Sequence, residues 1–531
     1  MLIPFTRCPR SWGLLPVGAL AVALTGCASL PADRGLSGSV ALAAERGLSI
    51  PAADSEDPTR DLLSHPLSAA DAVTLALVNN PDTRRVAAEL GLAAADVYDA
   101  GRLSNPVLGL SRLTSNDPAA MAAETSMSIA VQFTNLLFLR SRSKTAEARL
   151  AVKQHEVARA MQALAAQVER DWLAVVAAEQ QRAIRQQITR AAQASADLAQ
   201  RFFDAGNISR RALALEQATA VEAHLAASRS AAQVEAERAK LARSMGLSAA
   251  EDWTVVAGLT LPIAPEPALS ELRSEAHQQR LDLLAAEREA AAIATAYGLA
   301  RRTRLLGDIE LGFERTREND RSRTRGPSVA VELPLFNWGS GRKARAAALL
   351  EAAEARLAGL MLDVDAEITT LHARVQEQRT QVAHFHEALI PLTELIVDQM
   401  QREQNYMLIG VFELIAARRE GYAVYDRYLE TLRDYWQSLV ALGLATGRSL
   451  LVPQGDGGIA RTAVPEKPSQ PPAADHSMHG QPAEPVDAPS RHQGHPGMHD
   501  VAPTAEPDMR PDVQPDGTAP AQKTHQHHHG H

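Results

Sequence analysis

Ser126-Met127-Ser128-Ile129-Ala130-Val131-Gln132-Phe133 alternates small or polar residues with apolar ones. That is the period of a strand with one wet face and one dry face. Directly behind it the pattern changes. Residues 140–203 contain no proline or glycine, and Ala, Gln, Arg and Glu, all strong helix formers, dominate. At 1.5 Å per residue the run predicts a helix on the order of 90 Å long. A glycine at Gly206 breaks it, and a second arm is expected over 209–245. A soluble coiled coil would explain the arms alone. The alternating strand beside them argues against it.

The same pattern returns further along the chain. Ser328-Val329-Ala330-Val331-Glu332-Leu333-Pro334-Leu335 alternates, as do 308–314 and, more weakly, 106–113. Runs of roughly nine to eleven residues suit a tilted membrane strand. Between them lie 114–124 and the charge-dense 315–325, which read as solvent-facing hairpin tips. A second pair of arms runs over 342–389, ahead of Pro391, and on to a turn at Gly410. Four separate matches share an offset near 200 residues. Ala76–Asp82 aligns with Ala276–Asp282, Phe138 and Lys144 with Phe336 and Lys343, Gly206 and Glu216 with Gly410 and Glu420, and Leu241–Gly246 with Leu442–Gly447. The chain therefore reads as a tandem duplication, 67–247 and 268–450, with a proline-containing joint at 248–267.

The ends differ from this body. Arg7 and Arg10 precede an apolar run, 12–24, too short to span a bilayer as a permanent helix. Leu24-Thr25-Gly26-Cys27 follows, which resembles a bacterial lipoprotein signal: 1–26 would be removed and Cys27 would carry diacylglycerol. An ordinary signal peptide cut near Ala28 is the alternative. Residues 27–66, rich in Ser, Pro, Gly and Asp, read as a lipid-anchored tether. Residues 451–531 have almost no large apolar side chains and cannot offset their ordering entropy, so a disordered tail is expected. The whole chain has 531 residues and a net charge of −9, which speaks against nucleic acid as a partner. Two cysteines exclude a disulfide scaffold and a cysteine zinc cluster.

Four membrane strands cannot close a barrel, since about eight are needed for an interior that side chains just fill. An open sheet would leave unpaired amides in lipid, at several kcal/mol each. Copies of the chain must pool their strands. Two hairpins cross the membrane an even number of times, so both termini share one side. The lipid at Cys27 makes that side the periplasm, and the helices must project there. The expected class is an α+β outer-membrane protein.

Leu67-Ser68-Ala69-Ala70-Asp71-Ala72 to Asn80-Pro81, Phe203-Asp204-Ala205-Gly206-Asn207-Ile208-Ser209, Pro334-Leu335-Phe336-Asn337-Trp338-Gly339 and Gln404-Asn405-Tyr406-Met407 to Gly410-Val411-Phe412-Glu413-Leu414 resemble the outer membrane factor, or TolC-like, family of efflux channels. The resemblance covers most of 67–450 and favours a lipoprotein of the heavy-metal branch (copper and silver, or cobalt, zinc and cadmium). It implies a homotrimer with a twelve-stranded outer-membrane β-barrel and a long periplasmic α-helical barrel. It also implies a periplasmic adaptor and an inner-membrane RND-type pump as partners. Gly206, Asn207 and Ser209, with Gly410, Val411, Phe412 and Glu413, match the family's hairpin tips and would meet the adaptor; a plain helix break is the simpler reading of the glycines. The acidic aperture ring of drug-exporting members has no clear counterpart, because the stretch reads Ile415-Ala416-Ala417-Arg418-Arg419-Glu420.

Ten of the 17 histidines lie beyond residue 470. They form His476, Met478 and His479; His492, His495, Met498 and His499; and His525, His527, His528, His529 and His531. Thioether selects soft Cu(I) or Ag(I), while imidazole also takes zinc, nickel and cobalt. Mixed His and Met without Cys favours copper or silver, weakly held by a flexible segment. Zinc, cobalt or nickel, and a solvated tail without a role, are the alternatives. No nucleophile elbow, phosphate loop or HExxH helix occurs, so no catalytic function and no cofactor beyond the lipid is expected. His384 and His386 lie two apart, on different helix faces. The reading is a passive outer-membrane efflux conduit for heavy-metal ions. A multidrug channel and a non-channel metal-buffering lipoprotein are its rivals.

Overall fold

The structure is a computed structural model describing residues 33–48, 58–114, 123–248, 251–256, 258–261, 267–303 and 307–448. All lie within one compact unit, Met1–Pro465; the other, Glu466–His531, lies outside the described residues.

Two short helices, α1 (Leu36–Ala44) and α2 (Pro58–Leu63), precede α3 (Ala69–Asn79) and α4 (Pro81–Ala100). A hairpin of β1 (Val107–Leu113) and β2 (Glu124–Gln132) leads into α5 (Phe133–Asp204), and α6 (Arg210–Met245) returns. The order then runs again: α7 (Leu269–Gln279), α8 (Leu281–Arg302), β3 (Ile309–Arg317), β4 (Arg323–Val331) and α9 (Ser340–His384). A π-helical turn (Phe385–Leu389) joins α9 to α10 (Ile390–Asn405), and α11 (Val411–Thr446) closes the chain. The fold is thus mostly helical, with one antiparallel sheet ordered β1-β2-β3-β4.

Local chemistry explains the element ends. Ser68 and Asp71 form a reciprocal capping box at the start of α3. Asn80 caps α4, and Pro81 occupies its first turn. α5 is 72 residues long, about 110 Å at the α-helical rise. Pro391 is tolerated in the second arm because the π turn just ahead of it absorbs the lost backbone hydrogen bond.

The two halves close in the same way. Gly246 ends α6 and Gly447 ends α11, both in the left-handed region at φ 75° and 86°. A Cβ on Gly246 would meet the backbone of Asn79 and Asn80 at 2.7–2.8 Å, and one on Gly447 that of Gln279 and Arg280 at 3.0–3.1 Å. Beside the first contact Asn80 Nδ2 donates to Ser244 O at 2.8 Å, and beside the second Arg280 Nη1 donates to Ala445 O at 3.2 Å. Arg280 is otherwise neutralised by Asp282 at 2.8 Å and Glu367 at 2.6 Å.

The core gathers around the middle of α5. Trp172 is 2% exposed, and its Nε1 donates to Leu67 O at 2.9 Å. Leu67 also forms a parallel bridge to Val255, so 251–256 and 258–261, within the joint of 248–267, pack Trp253, Val255 and Leu259 inward. The stretch read as a tether is helical in part: α1 buries Ser39 and Ala43, and Gly38 comes so near Gln154 of α5 that a Cβ would lie 2.5 Å from its Nε2.

Three expectations are corrected. Residues 315–317 and 323–325 belong to β3 and β4, leaving only 318–322 as the turn. Alternation of Arg with Thr keeps the strand period there, and the density of charge hid it. β4 ends at Val331 rather than running to Leu335, where Pro334 has no amide to donate. The ends of β2 and β4 set an offset of 199, so Phe138 matches Asn337 and its alignment with Phe336 is corrected by one residue.

Candidate channel wall and hairpin tips

Strand register sorts the sheet into two unlike faces. On one, cross-strand rows read Leu108–Ile129–Phe313–Pro327, then Val131–Leu311–Val329, then Ile309–Val331. The opposite face reads Ser111–Ser126–Thr316–Thr324, Gly109–Ser128–Glu314–Gly326 and Val107–Ala130–Gly312–Ser328. Hydrogen bonds tie the polar face together: the Ser111 and Ser126 hydroxyls lie 2.8 Å apart, and Gln132 Nε2 donates to Glu310 Oε2 at 2.7 Å. Ile129, Phe313 and Val329 are 47, 48 and 64% exposed, so the apolar face has no full cover among the described residues. β1 and β4 are open edges. At about 3.3 Å per residue the nine-residue strands span roughly 30 Å, or about 20 Å when tilted by 45°. Below the sheet Phe336 and Trp338 are 98 and 63% exposed. Among the described residues no helix is long and apolar enough to cross a membrane.

At the far end of the arms the two tips use one hydrogen-bond pattern with different residues. After α5, Gly206 N donates to Phe203 O and Asn207 N to Phe202 O, both at 2.8 Å, with Gly206 at φ 76°. This is a Schellman ending. Ser209 then caps α6 through its hydroxyl, which accepts from Ala212 N at 3.2 Å. After α10, Met407 N donates to Gln404 O and Leu408 N to Glu403 O, both at 2.9 Å, and Met407 holds the left-handed position at φ 59°. Gly410 is the residue before α11 and sits in extended backbone. The structural counterpart of Gly206 is therefore Met407, and that of Ser209 is Gly410. The alignment of Gly206 with Gly410 is corrected by three residues. Phe412 meets Phe202 edge-on at 5.8 Å between ring centres, so the two tips touch. Val411 and Glu413 open α11 beside it, Glu413 in its first turn.

Sequence reasoning places Tyr406 and Met407 in the family-like stretch but does not count them, or Leu408, among the tip residues. Tyr406, Met407 and Leu408 are 79, 92 and 73% exposed. The signal was available: three consecutive large side chains fill a turn, and among the described residues little covers them.

Higher up, the hairpins are latched. Arg185 of α5 donates to Asp426 of α11, and Gln181 donates to Glu430 at 3.3 Å. Burial pushes the Asp426 carboxyl up, and the Arg185 guanidinium opposes that rise. In the stretch compared with the aperture ring, Arg418 donates to Gln401 at 2.6 Å and Glu420 pairs with Arg427 at 3.1 Å. His386 stacks on Tyr428 with 6.5 Å between ring centres. Among the described residues no three His, Cys, Asp or Glu side chains gather to hold a metal. Cys27 and the tail residues His476 to His531 lie outside the described residues.

By sequence the chain matches no family model and no curated protein. By structure it resembles outer-membrane channels. CusC, described as undergoing transmembrane channel formation, is 13% identical with a TM-score of 0.60, over 72% of this chain and 92% of that one. The CmeC outer membrane channel of Campylobacter jejuni is 14% identical with a TM-score of 0.62, over 71% and 85%. A membrane protein from Pseudomonas aeruginosa is 19% identical with a TM-score of 0.62, over 75% and 98%. At such identities the likeness establishes the fold: this chain has the fold of the outer-membrane channel proteins.

Proposed function

We propose that three copies of this chain pool their sheets into a twelve-stranded outer-membrane barrel. Their helical arms form a periplasmic tube, the outer section of a tripartite efflux system. The observation that carries the reading is a sheet with one dry face, one wet face and two open edges. Such a sheet is stable in lipid only when neighbouring copies pair its edges. The dry face then meets acyl chains and the wet face lines an aqueous path. Phe336 and Trp338 suit the aromatic girdle at the periplasmic interface. Likeness in fold to CusC and CmeC supports the same reading.

In this account Cys27 carries the lipid that anchors the chain on the periplasmic side. The tips at Gly206–Ser209 and Tyr406–Glu413 receive a periplasmic adaptor, which connects the tube to an RND-type pump. Heavy-metal ions are the cargo, with copper or silver favoured by the His and Met clusters of the tail. The chain supplies a passage and docking surfaces, and the energy comes from the pump.

Purified protein reconstituted in planar bilayers tests the core of this account. Heat-resistant trimers that conduct ions are expected. A monomer without conductance overturns the channel and favours a metal-buffering lipoprotein. Deleting the gene should raise sensitivity to copper or silver salts. New sensitivity to drugs or detergents with unchanged metal tolerance would make organic compounds the cargo. Truncation at Pro453 should spare the trimer and weaken copper binding.

A further inference from the structure

The apolar face of the sheet does not end in ordinary polar residues. Its next two rows read Leu110–Met127–Arg315–Arg325 and Arg112–Thr125–Arg317–Arg323. Five arginines therefore share the face that carries the aliphatic band, all at the end remote from the helices, and all are exposed. Arg315 stands directly opposite Arg325, and Arg317 directly opposite Arg323. Like charges facing each other across an antiparallel pair are destabilising. Nothing among the described residues relieves them: none of the five has an ion pair there. The acids of the adjoining turn do not reach back either, since Asp320 Oδ1 instead accepts from Ser322 N at 2.7 Å. Lysine would have met a need for solubility alone, yet all five are arginine, whose planar fork binds phosphate in two-point fashion.

We propose that this belt holds the phosphate groups of the phosphorylated glycolipid of the outer leaflet, the lipid A type. The inference rests on the barrel reading above, which turns this face to lipid and this end to the outside. Position supports the choice of ligand. The aliphatic rows Leu108–Ile129–Phe313–Pro327 and Val131–Leu311–Val329 continue straight below the arginines. A lipid whose phosphate meets the guanidinium groups is thereby placed to lay its acyl chains along the strands. A soluble anion or an acidic protein segment would satisfy the charge without engaging that band, whereas one phosphorylated amphiphile engages both. Near the membrane interface a charged side chain costs little, so the belt is compatible with insertion.

The test uses the full-length protein in detergent, with bound lipid read by native mass spectrometry and function by bilayer conductance. Wild-type trimers should retain bisphosphorylated lipid A at least about tenfold better than its dephosphorylated form with the same acyl chains, and better than phosphatidylglycerol. The quadruple variant R315Q/R317Q/R323Q/R325Q should lose that preference while still conducting. Equal retention of both glycolipids by the wild type, or an unchanged preference in the variant, overturns the belt. Retention of phosphatidylglycerol equal to that of lipid A overturns the glycolipid assignment. The comparison between glycolipids needs no variant, so it stands even if the variant fails to fold. Wild-type protein that neither trimerises nor conducts overturns the barrel reading itself, whereas conducting trimers indifferent to phosphate overturn only the belt.

Discussion

The first long arm and the second occupy different worlds. In α5 every residue from Asp171 to Ala178 is buried, so this helix is surrounded. It packs against α1, α3, α4, α6, α8 and α11. In α9 the buried residues are Val364, Ile368, His372, Val375, Gln378 and Val382, spaced three or four apart, which is a single stripe on one face. Its continuation α10 leaves Leu392, Leu395 and Ile396 at 55, 60 and 54% exposure. Repetition of an element order does not repeat an environment. The first arm holds the protomer together, while the second offers an apolar flank that the described residues do not cover.

Removing the centre of the first arm should therefore do the most damage. Trp172→Ala empties a site that is 2% exposed and removes one of the two donors to the Leu67 carbonyl, leaving the Val256 amide at 3.1 Å. A loss of about 4 kcal/mol is expected, read from urea unfolding of the helical signal. A loss below about 1 kcal/mol would mean that α5 is not the core. The two C-terminal glycines come next. Gly246→Ala combines a left-handed backbone with a collision against Asn79, and should cost about 3 kcal/mol. Gly447→Ala meets its neighbours a few tenths of an ångström later and should cost about 2 kcal/mol. Equal costs would deny that the first half is the more tightly closed.

Much of this was readable in advance, for physical reasons. Period-two alternation survives in any sheet with unlike faces, so 126–133 and 308–314 announced β2 and β3. Absence of Pro and Gly announced the arms. What failed had other causes. Arg315, Arg317, Arg323 and Arg325 look like loop in the sequence because their charge masks the strand period. The second tip is hard to place from sequence because Met407 fills a left-handed position that glycine usually marks. The latches of Asn80 on Ser244 and of Arg280 on Ala445 span more than 160 residues, and no local pattern encodes such contacts.

Acidity probes the first arm more gently. Burial pushes the Glu169 carboxyl of α5 from its ordinary 4.5 up to about 7, with Arg170 opposing. The folded chain thus favours the protonated form more than the unfolded chain does. Its contribution is fully present below the ordinary value and is lost as pH rises to about 7. The thermal midpoint of the wild type should climb as pH falls from 8 to 5. Glu169→Gln should be flatter across that range and should exceed the wild type at pH 8. Parallel pH curves for the two proteins would show that Glu169 is solvated and that this stretch of the arm is less enclosed than its neighbours.

The smallest effect on the protomer is the sharpest test of the second arm. Leu392 and Ile396 stand one turn apart on α10 and are more than half exposed in the single chain. Leu392→Glu with Ile396→Glu removes no internal contact of weight, so protomer stability should move by no more than about 0.5 kcal/mol. In the proposed assembly the same flank is covered by a neighbouring copy. Two buried carboxylates without partners would then be introduced at each of the equivalent interfaces, a cost that no exposed site would bear. Folded helical protein that runs as a monomer is the expected result, by size-exclusion chromatography with light scattering in detergent. Intact trimers would leave the exposed flank free in the assembly, and the contrast between an enclosed arm and an arm awaiting its neighbour would fail at that point.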